Sequence, residues 1–222
     1  TTAGGWSLEK HLRVLTDATG DGFLDILGFG NNGVGIAKNK GDGTFHGSIA
    51  ASAEFGYNQG WRVETHERLL GDITGDGKPD IVAFKDDGVI TALNKGDGTF
   101  APGKHVLNFF GNSTNPPWTK SMHPRMLADV NGNGRMDIVG FGDWGVWVAF
   151  SKGDGTFEEP KQVSQEWGYL KGNWRVETHR RWLVDVNGNG TPDIVGVGYD
   201  ALLVSYNDGA GNFGPSQQLS KF

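Results

Sequence analysis

Four times along this chain a tryptophan stands five residues before a histidine: Trp6 and His11, Trp61 and His66, Trp118 and His123, Trp174 and His179. Twice the whole stretch is the same, Trp-Arg-Val-Glu-Thr-His at 61–66 and at 174–179. An indole set beside a guanidinium, a carboxylate and an imidazole suits a sugar. The C–H face of a pyranose stacks on a flat ring, and its hydroxyls need paired donors and acceptors. A few polar groups in a preformed cleft then fix its orientation. The candidates in these segments are Trp61, Arg62, Glu64, His66, Trp118, His123, Trp174, Arg175, Glu177 and His179, with Tyr57 and Tyr169 just upstream. A second reading stays open. Tryptophan and histidine persist even where the segment has drifted, at Trp118–His123, which favours a packing role for at least one of them.

A second pattern could bind a cation. Asp-x-(Thr/Asn)-Gly-(Asp/Asn)-Gly-x-x-Asp recurs with Asp17, Thr19, Asp21 and Asp25; Asp72, Thr74, Asp76 and Asp80; Asp129, Asn131, Asn133 and Asp137; and Asp185, Asn187, Asn189 and Asp193. Oxygens at such spacing suit calcium, and the glycines permit the sharp turn. The first two loops carry the greater negative charge and are the stronger calcium candidates. The alternative is an Asx-turn network in which the carboxylates accept backbone N–H bonds. Either way the loop pins two strands together.

Hydrolytic chemistry fits less well. A glycosidase needs two carboxylates about 5–9.5 Å apart across one bond. The tryptophan segments supply one glutamate each, and the remaining acids sit in turns. No isolated Ser/His/Asp set stands apart from the repeats. The chain reads as a binder, not an enzyme.

These residues ride on a repeat. The first aspartates of the acidic loops, Asp17, Asp72, Asp129 and Asp185, are spaced by 55, 57 and 56 residues. A fixed period of this size marks one supersecondary unit used several times. In the first unit, short apolar runs at Arg13–Thr16, Ile26–Phe29 and Val34–Asn39 alternate with turns at Asp17–Asp25, Asn31–Gly33 and Gly41–Gly43, and a fourth run starts at Thr44. Short runs separated by turn signals read as all-β, and four strands per unit is the arithmetic of a propeller blade. The expectation is a single β-propeller domain of four four-stranded antiparallel blades, at about 6–55, 56–112, 113–168 and 169–222. Closure by contact of the first and fourth blades is the simplest ring. A segment of a larger ring, or a ring completed by a second chain, is the alternative.

Antiparallel connectivity sorts the loops. The acidic A–B loops share one face with the C–D turns. The tryptophan-bearing linkers share the other with the B–C turns Asn31-Asn32, Asp86-Asp87, Asp143-Trp144 and Tyr199-Asp200. Asp87, Asp143 and Trp144 therefore join the sugar-binding candidates. Arg68 and its equivalents open the first strand of each unit, and a neighbouring carboxylate such as Glu64 is their expected partner.

Net charge is −6 with no basic run, which argues against nucleic acid or an anionic membrane as partner. No apolar stretch approaches the roughly 20 residues of a membrane span. With no cysteine there is no disulfide framework and no thiolate metal site, which says little about compartment. The partners expected are glycans and glycoproteins, with the protein a monomer or small homo-oligomer.

The run from Phe55 to His66, followed by Arg68, the Asp72–Asp80 loop and Asn94–Phe100, resembles the Psathyrella velutina lectin family of mushroom lectins. The Asp-rich loop and Phe141-Gly142 are shared with the broader FG-GAP/VCBS repeat class. The resemblance implies a β-propeller binding terminal N-acetylglucosamine, and sialylated glycans in some members, in pockets between adjacent blades. It also implies calcium in some acidic loops. It places pockets at Trp61, Arg62, Glu64 and His66, and at Trp174, Arg175, Glu177 and His179. A protein-interaction propeller of the integrin type is the alternative. It would keep the acidic loops but would not need the repeated Trp-Arg-x-Glu-x-His.

Overall fold

The computed structural model describes residues 5–221. Each repeat unit folds as one antiparallel sheet with its strands in chain order. Blade one comprises β1 (Leu12–Thr16), β2 (Asp25–Phe29), β3 (Val34–Ala37) and β4 (Ile49–Ser52). Blade two comprises β5 (Glu67–Gly71), β6 (Asp80–Phe84), β7 (Val89–Ala92) and β8 (Lys104–Leu107). Blade three comprises β9 (Arg125–Ala128), β10 (Asp137–Gly142), β11 (Gly145–Ala149) and β12 (Lys161–Ser164). Blade four comprises β13 (Arg180–Val184), β14 (Asp193–Val197), β15 (Ala201–Ser205) and β16 (Gln217–Lys221). The linker between blades one and two holds a single helical turn, Tyr57–Gln59.

The residue types explain the layering. β6 and β10 read as unbroken apolar runs after their aspartate and are buried along their whole length, as strands covered on both faces must be. β1 instead alternates half-buried and exposed residues. In every blade the pairing of third and fourth strands slips at the same place, between Val34 and Gly35, Val89 and Ile90, Val146 and Trp147, and Leu202 and Leu203. Such an irregularity adds local twist, and its recurrence gives all four blades one shape.

The core lies between blades. One apolar cluster joins Leu27, Phe29 and Ile36 of blade one to Ile81, Ala83 and Phe100 of blade two. A second joins Phe84 and Val89 to Ile138 and Phe157, and a third joins Phe141 and Val148 to Ile194 and Phe213. A polar link crosses each seam: Asn94 Nδ2 donates to Ala18 O at 2.9 Å, Ser151 Oγ to Ile73 O at 2.5 Å and Asn207 Nδ2 to Val130 O at 2.8 Å.

Closure of blade one on blade four is not what the chain does. Phe100, Phe157 and Phe213 are buried in their seams, whereas the equivalent Phe45 of blade one is 37% exposed. Val186 of blade four is 47% exposed, whereas its equivalents Ala18, Ile73 and Val130 are all at 0%. The four blades form an arc with an open apolar face at each end.

Candidate functional site

The linkers and the B–C turns do meet on one face, and histidine joins them. In each linker the N–H of the residue after tryptophan donates to the histidine Nδ1, from Ser7, Arg62, Thr119 and Arg175, at 2.9–3.1 Å. The histidine N–H donates back to the carbonyl of that same residue. An imidazole that accepts at Nδ1 carries its proton on Nε2. That nitrogen then reaches the B–C turn, at Asn31 Oδ1 (3.0 Å) from His11, Asp86 Oδ1 (3.3 Å) from His66 and Asp143 Oδ1 (3.0 Å) from His123. His179 differs: its ring packs edge-on to Tyr199 at 4.4 Å between centroids.

The histidines are buried clamps, and burial sets their titration. His66 and His123 are held below the ordinary imidazole pKa by desolvation, opposed by Asp86 and Asp143; His179 is lowered by desolvation and by Arg181 and Arg175. A folded pKa below the unfolded value stabilises the protein above about pH 6.5, and this contribution is lost as pH falls through the folded pKa. Asp80 and Asp137, pushed up to about 6 chiefly by burial, act in the opposite sense. Their ionised form costs stability at neutral pH, and the cost fades as pH falls from 6 towards 4. We expect NMR titration of the His66 and His123 rings to give midpoints below 6.5. Midpoints at or above that value contradict the clamp.

The tryptophans require a correction. Trp61, Trp118 and Trp174 are 3%, 1% and 8% exposed, so none offers an open face to a sugar. Each packs against a second aromatic, Phe55, Phe110 or Trp167, with ring centroids 4.6–5.4 Å apart. Glycines receive the pair: a Cβ on Gly140 would come within 2.6 Å of Phe110 and 2.7 Å of Trp118. Phe55, Phe110 and Trp167 hold φ at 63° to 66°, a left-handed conformation uncommon for bulky residues. The following glycine is pressed onto the B–C turn; a Cβ on Gly168 would lie 2.5 Å from Asp143 O. Trp-x4-His is thus the seam's packing and clamping device, and His66, His123 and His179 share its burial.

The strand-opening arginines also differ from expectation. Arg68 and Arg181 donate to the carbonyls of Phe55 (2.9 Å) and Trp167 (2.8 Å) rather than to a carboxylate. Burial lowers both to about 10. Among the described residues, Arg125 is the one of these arginines that meets an acid, Glu67, at 3.4 Å.

What stays open to solvent is the layer above. A cleft of about 440 Å³ lies at the first seam, lined by Glu9 and Lys10 from the linker of blade one and by Tyr57, Val63 and Glu64 from that of blade two. The Arg62 guanidinium lies 3.9 Å from the Tyr57 ring centroid and donates to the Tyr57 and Trp61 carbonyls, and Lys10 Nζ approaches the same ring at 4.9 Å. The third seam repeats the pair, with Arg175 at 3.8 Å from the Tyr169 ring and donating to Tyr169 O, and with Glu177 exposed. Tyr169 also approaches His123 of the preceding linker at 6.1 Å. Tyr57, Arg62 and Glu64 are therefore brought together, as are Tyr169 and Arg175. Asp143 is committed to His123. Asp87 faces His105 of β8 at 3.8 Å, and exposed Trp144 is tied through its carbonyl to Gln162 of β12; neither lines the cleft.

Glu9, Lys10 and Val63 were missed, although Glu9-Lys10 occupies the place of Glu64-Thr65 in the first linker. Asp86, not the candidate Asp87, is the turn residue that meets the linker, through His66. The 20-residue step from His11 to Asn31, from His66 to Asp86 and from His123 to Asp143 could have picked it out.

On the opposite face the acidic loops turn their oxygens inward. Asp17, Asp72, Asp129 and Asp185 each accept amide N–H bonds on both oxygens, among them those of Gly22, Gly77, Gly134 and Gly190. Asp21, Asp76, Asn133 and Asn189 each accept the N–H two residues on. Asp25, Asp80, Asp137 and Asp193 bridge the loop to the C–D turn through Asn39, Asn94, Ser151 and Asn207 N–H, each at 2.8 Å. Thr19 and Thr74 bond Asp25 and Asp72, and Asn131 and Asn187 accept the N–H of Asn133 and Asn189. Among the described residues no three His, Asp or Glu side chains converge as a metal site. As arranged, the donor set fits an amide-held turn.

The FG-GAP-like repeat model matches residues 129–176. No curated protein matches the chain. Among solved structures, a lectin from Agrocybe aegerita, described for its specific recognition of non-reducing terminal N-acetylglucosamine, is 47% identical with a TM-score of 0.93. The match covers 98% of this chain and 54% of that one, so the chain spans little more than half the length of the lectin. A chain of the Photorhabdus luminescens Tc holotoxin pore shares the fold at 22% identity and a TM-score of 0.66, covering 98% of this chain and 10% of that one. The mushroom-lectin resemblance read from the linkers and acidic loops is borne out.

Proposed function

We propose that this chain, a relative of the Agrocybe aegerita lectin over 98% of its own length, is a carbohydrate-binding lectin that holds terminal N-acetylglucosamine in shallow clefts between consecutive blades. The observation that carries this reading is the cleft at the first seam. Lys10 on one wall and Glu64 on the other offer a cationic donor and an anionic acceptor across about 440 Å³, within the usual range of small-ligand sites. Tyr57 and Val63 supply the apolar contact for the C–H face of the ring. The walls come from different blades, so a correctly formed seam is a condition of binding. Tyr169 and Arg175 repeat the ring–guanidinium pair at the third seam beside exposed Glu177, with Ser121 and Met122 in the places of Glu9 and Lys10, and two weak sites on one rigid frame would gain avidity for branched glycans.

The relative's being a lectin supports binding rather than catalysis. Calorimetric titration with N-acetylglucosamine tests the proposal. Saturable heat in the millimolar range is expected. A flat trace at millimolar sugar would overturn it.

Calcium in the Asp17–Asp25 and Asp72–Asp80 loops is a separate proposal, supported by their aspartates at positions one, five and nine. A cation there would take oxygens now held by amides. Melting in excess calcium and then in excess chelator tests it: ligand binding to the native state raises the midpoint, and coincident curves contradict it.

A further inference from the structure

The turn that carries Glu64 is fixed at its base and thin at its tip. At the base the Arg62 N–H donates to His66 Nδ1, and the His66 N–H donates to Arg62 O. The tip, Val63 to Thr65, borders two spaces. Val63 lines the cleft of about 440 Å³ and also a second cavity of about 120 Å³. Leu12, Glu67 and Lys120 line that second cavity with it. A wall with a void behind it lacks the packing contacts that would fix its position. Hydrogen bonds have to hold it.

Those bonds come from the linker of blade three. Lys120 Nζ donates to Val63 O at 2.8 Å, and Asn112 Nδ2 donates to Thr65 O at 3.3 Å. β5 starts directly after the turn, and the Arg125–Glu67 ion pair holds it from the same blade. The tie belongs to one seam. Val63 and Val176 take the place of Lys120 in the neighbouring linkers, and Tyr57 and Tyr169 take that of Asn112. A valine side chain has no donor, so neither linker can make the bond. Asn112 and Thr119 stand where the first seam has Tyr57 and Arg62, so the ring–guanidinium pair is absent from the second seam. The third linker directs its polar side chains at the linker before it instead.

We infer that Lys120 is a positioning residue of the first-seam cleft: reaching across the second seam, it holds the Val63–Thr65 turn where Val63 and Glu64 meet the sugar. Lys120 does not itself line the cleft. The cleft is then the work of three blades, with two walls from blades one and two and the brace from blade three. A wall held in place before the ligand arrives saves the cost of ordering it on binding. This role rests on the lectin reading of the cleft.

Carbonyl and amide spectra of the wild-type chain, Lys120→Met and Lys120→Arg, recorded without and with N-acetylglucosamine, test it. Methionine keeps the length of the side chain and loses the donor, whereas arginine keeps donors. Without sugar, the Val63 carbonyl and Glu64 amide signals should move in Lys120→Met and stay near their wild-type places in Lys120→Arg. With sugar, the Tyr57 and Glu64 signals should report an affinity about fivefold weaker or worse in Lys120→Met, the scale of one lost hydrogen bond, and a recovered affinity in Lys120→Arg. The Tyr169 and Arg175 signals should titrate alike in all three chains, which separates a lost brace from a loosened fold. An unmoved Val63 carbonyl in Lys120→Met overturns the inference. So does wild-type affinity at the first seam of that variant, or an equal loss at both seams. A wild-type chain whose linker signals do not move with sugar overturns the lectin reading itself, and the role of Lys120 with it.

Discussion

Replacing Glu64 and Glu177 together with alanine will abolish measurable binding of N-acetylglucosamine and leave the melting curve unchanged. Both carboxylates are exposed, and neither takes part in a seam hydrogen bond or ion pair among the described residues. Their removal therefore touches the ligand and not the frame. A hydrogen bond to a charged group contributes about 1.5–3 kcal/mol, or roughly 10–100-fold in affinity. For a site already near millimolar, such a loss ends detection. Glu64→Ala alone should halve the apparent stoichiometry rather than the affinity of what remains. Lys10→Ala should act at the first seam only. Asp87→Ala serves as the control, because Asp87 faces His105 away from the cleft. Full binding by the double variant would remove the linker carboxylates from the site.

Trp118→Ala will show the opposite separation, a large loss of stability with no direct contact to ligand. The indole is 1% exposed and packs on Phe109, Phe110 and His123. It also lies against Gly140 and Gly142, where there is no room for a Cβ. Truncating a buried tryptophan costs about 3–5 kcal/mol, a large part of the 5–15 kcal/mol available to a typical domain. Urea denaturation should find the midpoint sharply lowered. Trp144→Ala, at a 61% exposed indole, should stay within about 0.5 kcal/mol. Equal effects of the two substitutions would contradict the placement of the linker indoles in the core. The same packing means that lost sugar binding in a Trp61 or Trp174 variant says nothing about stacking, since the seam is lost with it.

The fold was legible because the signal repeated. A period near 56 residues, four strand runs and fixed turn residues left little besides a propeller, and connectivity alone placed linkers and B–C turns together. Ring closure was not legible. Phe45 and Phe100 stand in the same sequence context, and only the presence or absence of a preceding blade separates them. The site was legible in half. Composition marked Trp, Arg, Glu and His as one sugar-binding set, but a tryptophan or histidine that recurs in every blade is as well explained by a seam that every blade must build. The tyrosine, arginine and glutamate vary between linkers, and these are the residues left at the surface. Lys10 escaped notice because it belongs to the neighbouring blade, and the cleft exists only where two linkers meet. The acidic loops were ambiguous for a chemical reason: an aspartate that accepts amides in an Asx turn and one that ligates calcium call for the same spacing.

The most direct test of the seam site is to watch where the sugar lands. Backbone amide spectra recorded during titration with N-acetylglucosamine should move the signals of Glu9, Lys10, Tyr57, Val63 and Glu64 together, with a parallel set around Tyr169, Arg175 and Glu177, and leave residues 17–25 and 72–80 still. Shifts gathered on those acidic loops, with the linkers unmoved, would contradict it.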